Sequence, residues 1–130
     1  MKRCIAIVML LLILAAGCGD QAVESFEKYE IVVVPMAWSD DVDAQVRDHV
    51  AGREQINVYQ NTSEKPDGLY QALLIEDLMA QEVDAICVEV VDAALAQPMI
   101  DKARDAGIVV FEGNDFCAMI DQAEAMLKNA

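Results

Sequence analysis

Basic residues are scarce in this chain: nine Lys and Arg stand against 23 Asp and Glu, for a formal net charge of −14. A surface that acidic repels phosphate backbones, so nucleic acid is a poor partner, and it offers no polybasic patch to an anionic membrane. Glycine-rich phosphate loops are missing as well. Gly113-Asn114-Asp115 sits in neither a GxGxxG nor a GxxxxGK context, and no nucleotide site is expected. The single histidine, His49, falls on a helical pattern with no serine or cysteine nucleophile assignable beside it, which gives it a structural role. The four cysteines show no CxxC or Cys/His spacing, so no metal is expected. Paired acids such as Glu76-Asp77 read as solvated helix faces. No catalytic constellation assembles, and the chain reads as a non-enzyme without cofactor.

No apolar run is long enough to span a bilayer. The longest covers residues 5–16 and as a helix would reach roughly 18 Å, against a hydrocarbon core of about 30 Å. Lys2 and Arg3 precede it and Gly17-Cys18-Gly19-Asp20 follow, which is the layout of a secretory signal. Leu14-Ala15-Ala16-Gly17-Cys18 resembles the lipobox of bacterial lipoproteins, with Ala15 where that pattern usually has leucine. The resemblance implies that Cys18 is the acylated first residue of the mature chain; the alternative is an ordinary signal cut nearby. Either way the chain is exported, to the periplasm or the outer face of the cytoplasmic membrane, with lipid as its membrane contact. The organisation expected is a signal peptide over residues 1–17, a tether over 18–28 and one domain over 29–130. Seven basic residues then face 23 acidic ones, a net charge of −16, in a single-domain length of 113 residues.

Strand and helix signals alternate through that domain. Ile31-Val32-Val33-Val34 lies within a strand over residues 29–35, a β-branched run suited to burial on both faces. Val42, Val46, His49 and Val50 recur at helical spacing over residues 40–53, with Gly52 placed for a left-handed end. A short strand over 56–59 leads to a helix opened by Pro66 and Asp67 and running to about Gln81. A third strand runs from Ala85 to Val91, and Pro98 is suited to the first position of a helix ending at Gly107. Residues 108–111 form a fourth strand and 116–127 a last amphipathic helix. Cys87 falls within a strand and Cys117 beyond the next one. A disulfide between them is open in an oxidising compartment, but two inert thiols are the reading preferred.

This alternation specifies an α/β fold, a parallel sheet of about four strands in the order 2-1-3-4 with helices on both faces. Ligands in such sheets sit outside the carboxyl ends of the strands, at the switch point between strands 1 and 3. The loops there hold Met36-Ala37-Trp38-Ser39-Asp40-Asp41 and Glu112-Gly113-Asn114-Asp115. Trp38 offers an aromatic face, and Asp40, Asp41 and Asn114 offer hydrogen-bonding groups for hydroxyls, a combination that suits a sugar. The competing reading is that Asp40 or Ser39 simply caps the first helix, and that Asn114 shapes a turn.

Leu73 to Ile86, read as LLIEDLMAQEVDAI, resembles the IEDLIAQGVDAI stretch of type I periplasmic binding proteins of sugar ABC transporters. Val91-Asp92 and the later Lys102-Ala103-Arg104-Asp105-Ala106-Gly107-Ile108-Val109-Val110 resemble that family's VDP…KAKEAGIPVV. Trp38-Ser39-Asp40-Asp41 looks like its galactose/glucose- and ribose-binding branch. The resemblance covers residues 30–115. It implies a non-enzymatic sugar receptor that works with an ABC permease, anchored by the lipid that the lipobox-like segment implies, with Asp40 and Asn114 bonding sugar hydroxyls. Val42 stands where those proteins place a stacking aromatic, and Asp41 replaces an Asn or Phe. Family members clamp the ligand between two lobes, whereas the resemblance here stops after the fourth strand of the first. The expectation is therefore a truncated or incomplete receptor that binds weakly, or alternatively an interaction module whose uncovered lobe surface self-associates or docks at the envelope.

Overall fold

The four residues Ile31, Val32, Val33 and Val34 are completely buried, and they fix the centre of the molecule. β-branched side chains pack well on a pleated surface, and burial on both faces requires helices above and below. The computed structural model describes residues 27–130. The signal segment, Cys18 and nearly all of the tether lie outside the described residues. Within them the order is β1 (Tyr29–Val34), α1 (Asp40–Val50), β2 (Ile56–Gln60), α2 (Gly68–Ala80), β3 (Ala85–Val88), α3 (Ala93–Asp105), β4 (Val109–Glu112) and α4 (Phe116–Lys128). The sheet order is β2-β1-β3-β4 and every pair is parallel, as the alternation specified.

Alternation along β1 divides the core. Val32 and Val34 join Ile86 and Val88 of β3 under Leu74, Ile75 and Leu78 of α2 and Ile100 of α3. Ile31 and Val33 face the other way, with Cys87, against Val46 of α1 and Phe116, Met119 and Ile120 of α4. Full burial of each such side chain stabilises by about 1.5–3 kcal/mol.

All four helices begin at the carboxyl ends of the strands, and each begins on a side-chain cap. Ser39 Oγ accepts from the Val42 amide, Asp67 from Tyr70, Asp92 from Ala94 and Leu95, and Asp115 from Ala118. Asp92 moves one boundary from its expected place. Its cap starts α3 at Ala93, so Pro98 lies inside the helix and not at its first position. β3 ends at Val88 and not at Val91: Glu89 N still bonds to Val34 O at the end of β1, but the Val91 amide goes to Gln71 Oε1 and leaves the sheet. α1 ends at Val50, and Gly52 takes the left-handed conformation (φ +80°) in the turn just beyond.

Candidate functional site

The carboxyl ends of the strands carry the loops that the sheet order marks for a ligand. In the β1–α1 loop, Trp38 is 47% exposed and its indole Nε1 donates to Asp40 Oδ1 at 2.9 Å. Ser39 is the cap of α1, which leaves Asp40 as the first helical residue and settles the choice between them. The indole uses one acceptor position of a carboxylate that has about four. Asp41 is exposed beside it, and the first-turn acids Asp40, Asp41 and Asp43 complement the helix dipole. Asp43 also pairs with Arg47 one turn on.

Asn114 is exposed in the β4–α4 loop and belongs to a different patch. It lines an open cleft of about 340 Å³ together with Val42, Gln45 and Val46 of α1 and Asp115, Phe116 and Cys117 at the start of α4. The four expected site residues thus fall into two neighbouring groups. Trp38 and Asp40 are bonded, with Asp41 adjacent; Asn114 faces α1 through Val42 and Gln45. Asp67, Asp92 and Asp115 are also at this end, but their carboxylates serve as helix caps.

Two buried glutamines that no motif marked hold the loops in place. Gln60, at the end of β2, accepts from Ser39 N at 3.0 Å through Oε1 and donates from Nε2 to Ser39 O at 3.1 Å. Gln71, in α2, donates to Glu89 O at 2.8 Å and accepts from Val91 N at 2.9 Å. Glu89 Oε2 in turn accepts from Met36 N at 3.4 Å, and Thr62 Oγ1 donates to Pro35 O at 2.8 Å. Trp38 N donates to Ser63 O at 2.8 Å. Three of the four loops are therefore tied to one another. A hint of this was present in the sequence for Gln71, a polar residue one turn before Leu74 and Ile75 on the apolar face of its helix, whereas Gln60 lies just past the strand read over 56–59.

Both described cysteines are free thiols. Cys87 is wholly buried in β3, and burial pushes its thiol up to about 12. Burial, then the nearby Asp115 and Asp121 carboxylates, raise that of Cys117. Neither has the lowered value of a nucleophile. Among the described residues, no group of three or more His, Cys, Asp and Glu could hold a metal ion, and no helix is long and apolar enough to cross a membrane.

A family model described as a periplasmic binding protein domain matches residues 31–127. No curated protein matches the chain by sequence. Among solved structures, an ABC transporter periplasmic solute binding protein from Actinobacillus succinogenes 130z with bound D-allose is 26% identical, with a TM-score of 0.56. The match covers 65% of this chain and 31% of that one. An ABC transporter solute binding protein from Burkholderia graminis C4D1M in complex with D-arabinose is 20% identical, with a TM-score of 0.59, over 68% of this chain and 32% of that one. A third, from Bacillus halodurans C-125 with bound myo-inositol, is 20% identical over 70% of this chain and 32% of its own, again with a TM-score of 0.59. The chain thus spans about a third of the length of the solved structures it matches.

Proposed function

The chain belongs to the periplasmic binding protein family of ABC solute-binding proteins, matched over residues 31–127, and on that premise we propose that it is an exported sugar-binding lobe of an ABC import system. The observation that supports this most is the conjunction of Trp38 and Asp40 at the carboxyl end of β1. An exposed aromatic face beside a carboxylate with acceptor capacity to spare suits a polyhydroxylated ring. The bound allose, arabinose and inositol of the solved structures are all of that chemistry. Asn114 and Asp41 contribute further hydrogen bonds from the neighbouring loops. Val42 leaves open cleft where the family resemblance expects a stacking aromatic; the flat face offered at this end is that of Trp38, which lies outside that cleft.

One lobe gives a ligand contacts on one side and leaves water on the other. Affinity of this chain alone is therefore expected near millimolar, roughly −4 kcal/mol. Losing a hydrogen bond to the charged Asp40 removes about 1.5–3 kcal/mol, enough to abolish binding at that level. Ligand-observed NMR against a panel of hexoses, pentoses and cyclitols checks this. At least one should bind the wild type and be lost in Asp40→Ala; binding unaffected by that substitution would move the site elsewhere.

Lipid anchoring through Cys18 is the second part of the proposal, on the strength of the lipobox-like Ala15-Ala16-Gly17-Cys18. Cys18→Ser should abolish labelling of the expressed chain by a fatty-acid probe. Undiminished labelling, or a mature form that begins at another residue, would contradict it.

A further inference from the structure

A side-chain amide has the same donor and acceptor pair as a peptide group, so a glutamine can stand in for a missing rung of backbone pairing. Both buried glutamines do this. Gln60 is 8% exposed and Gln71 2%, and each spends its Nε2 and its Oε1 on the backbone of one loop. Buried polar atoms must be satisfied, so each amide holds its loop at a fixed height and the loop in turn satisfies the amide. Gln60 grips Ser39 by both backbone groups, between Trp38 and Asp40. Gln71 grips Glu89 and Val91 on the far side of the switch point. The two loops also meet at Met36 N and Glu89 Oε2.

We propose that Gln60 and Gln71 are positioning residues for the binding end, Gln60 setting the placement of Trp38 and Asp40 and Gln71 that of Glu89. Neither needs to touch the ligand. A loop fixed in advance loses less entropy when it binds, which is how such residues act on affinity. The functional consequence rests on the sugar-binding reading above, but the clamps themselves are tested without any ligand.

Two measurements on the full chain decide it. In the wild type, the Ser39 and Val91 amides should exchange with solvent at least about a hundredfold more slowly than unprotected loop amides. Exchange at unprotected rates would overturn the proposal. Trp38 is the single tryptophan, so its fluorescence reports one loop. Gln60→Met keeps the volume and removes both bonds. It should lower Trp38 anisotropy and raise acrylamide quenching about twofold, with the far-UV circular dichroism unchanged. Gln71→Met should free the Val91 amide and leave Trp38 as it was. Equal effects of the two variants on Trp38 would mean general loosening and not two local clamps, and an unmoved Trp38 in Gln60→Met would refute the role of Gln60. If the clamps prove real and no sugar binds, the sugar reading alone fails.

Discussion

Arg53 is the residue through which α1 and α4 are held together at their surface. Its guanidinium donates to Asp121 Oδ1 at 2.7 Å and to Glu124 Oε2 at 2.9 Å, and His49 Nε2 lies 2.8 Å from the same Asp121 oxygen. The bond from Arg53 holds the Asp121 carboxyl below its usual 3.8; Lys128 first, and then Arg53, hold Glu124 below its usual 4.5. Folded carboxyls with lowered values bind fewer protons than unfolded ones near those values. Their stabilisation is thus complete above the ordinary carboxylate range and is lost as pH falls through the lowered folded values. Asp121 is half exposed, so water screens its share, and Glu124, the more buried of the two, carries more. Arg53→Met should lower the urea midpoint at pH 7 and flatten its decline between about pH 5 and pH 3. A variant with the acid limb of the wild type would show that this cluster is not what titrates.

At the scale of the element, α2 and α3 end in the same way with different residues. After α3, Gly107 adopts φ +90° and Ile108 N returns to Ala103 O; after α2, Glu82 adopts φ +58° and Val83 N returns to Leu78 O. A left-handed conformation costs a residue with a Cβ about 1 kcal/mol that glycine avoids. Glu82→Gly should therefore raise stability by about 1 kcal/mol in denaturant unfolding, and a loss of stability would show that other interactions of the Glu82 side chain outweigh the strain. Gly107 illustrates why the end of α3 was legible in sequence, whereas Glu82, in the twin position after α2, gives no such signal. Strands and helices were equally legible, because β-branched runs and three- and four-residue spacing are local patterns. The start of α3 was not, since Pro98 is the stronger local signal and Asp92 wins by a cap that depends on side-chain placement. Likewise Trp38 and Asp40 could be read as neighbours in a loop. No spacing rule links Gln60 to Ser39 or Gln71 to Val91 across some twenty residues, and nothing local said that Asn114 would face Val42 and Gln45 and not Trp38.

For the molecule as a whole, the fold concentrates polar constraint at one end. The amino-terminal ends of four capped helices, two amide clamps and the exposed Trp38 all lie at the carboxyl ends of the strands, while the apolar core fills the two layers behind them. One of the two sheet edges, β4, is managed separately. Val109 N and Gly113 N bond inward to Asp84 O and Val88 O, so Val110 and Glu112 turn their peptide groups outward, where Arg104 Nη2 donates to Val110 O at 3.0 Å and to Glu112 Oε2 at 3.3 Å. A charged side chain laid over an edge strand discourages pairing with another chain, and a net charge of −14 adds repulsion between copies. On the sugar-binding reading, recognition falls to the end of the sheet, where Trp38 and Asp40 lie.

That claim is tested most directly by amide chemical-shift mapping of the full chain during titration with the best-binding member of the hexose, pentose and cyclitol panel. The account predicts saturable shifts near millimolar ligand, confined to the loops holding residues 36–42, 60–63, 89–91 and 112–117 and including the Trp38 indole. Shifts centred on the helix faces or the opposite end of the sheet, or no saturable shift with any member of the panel, would contradict it.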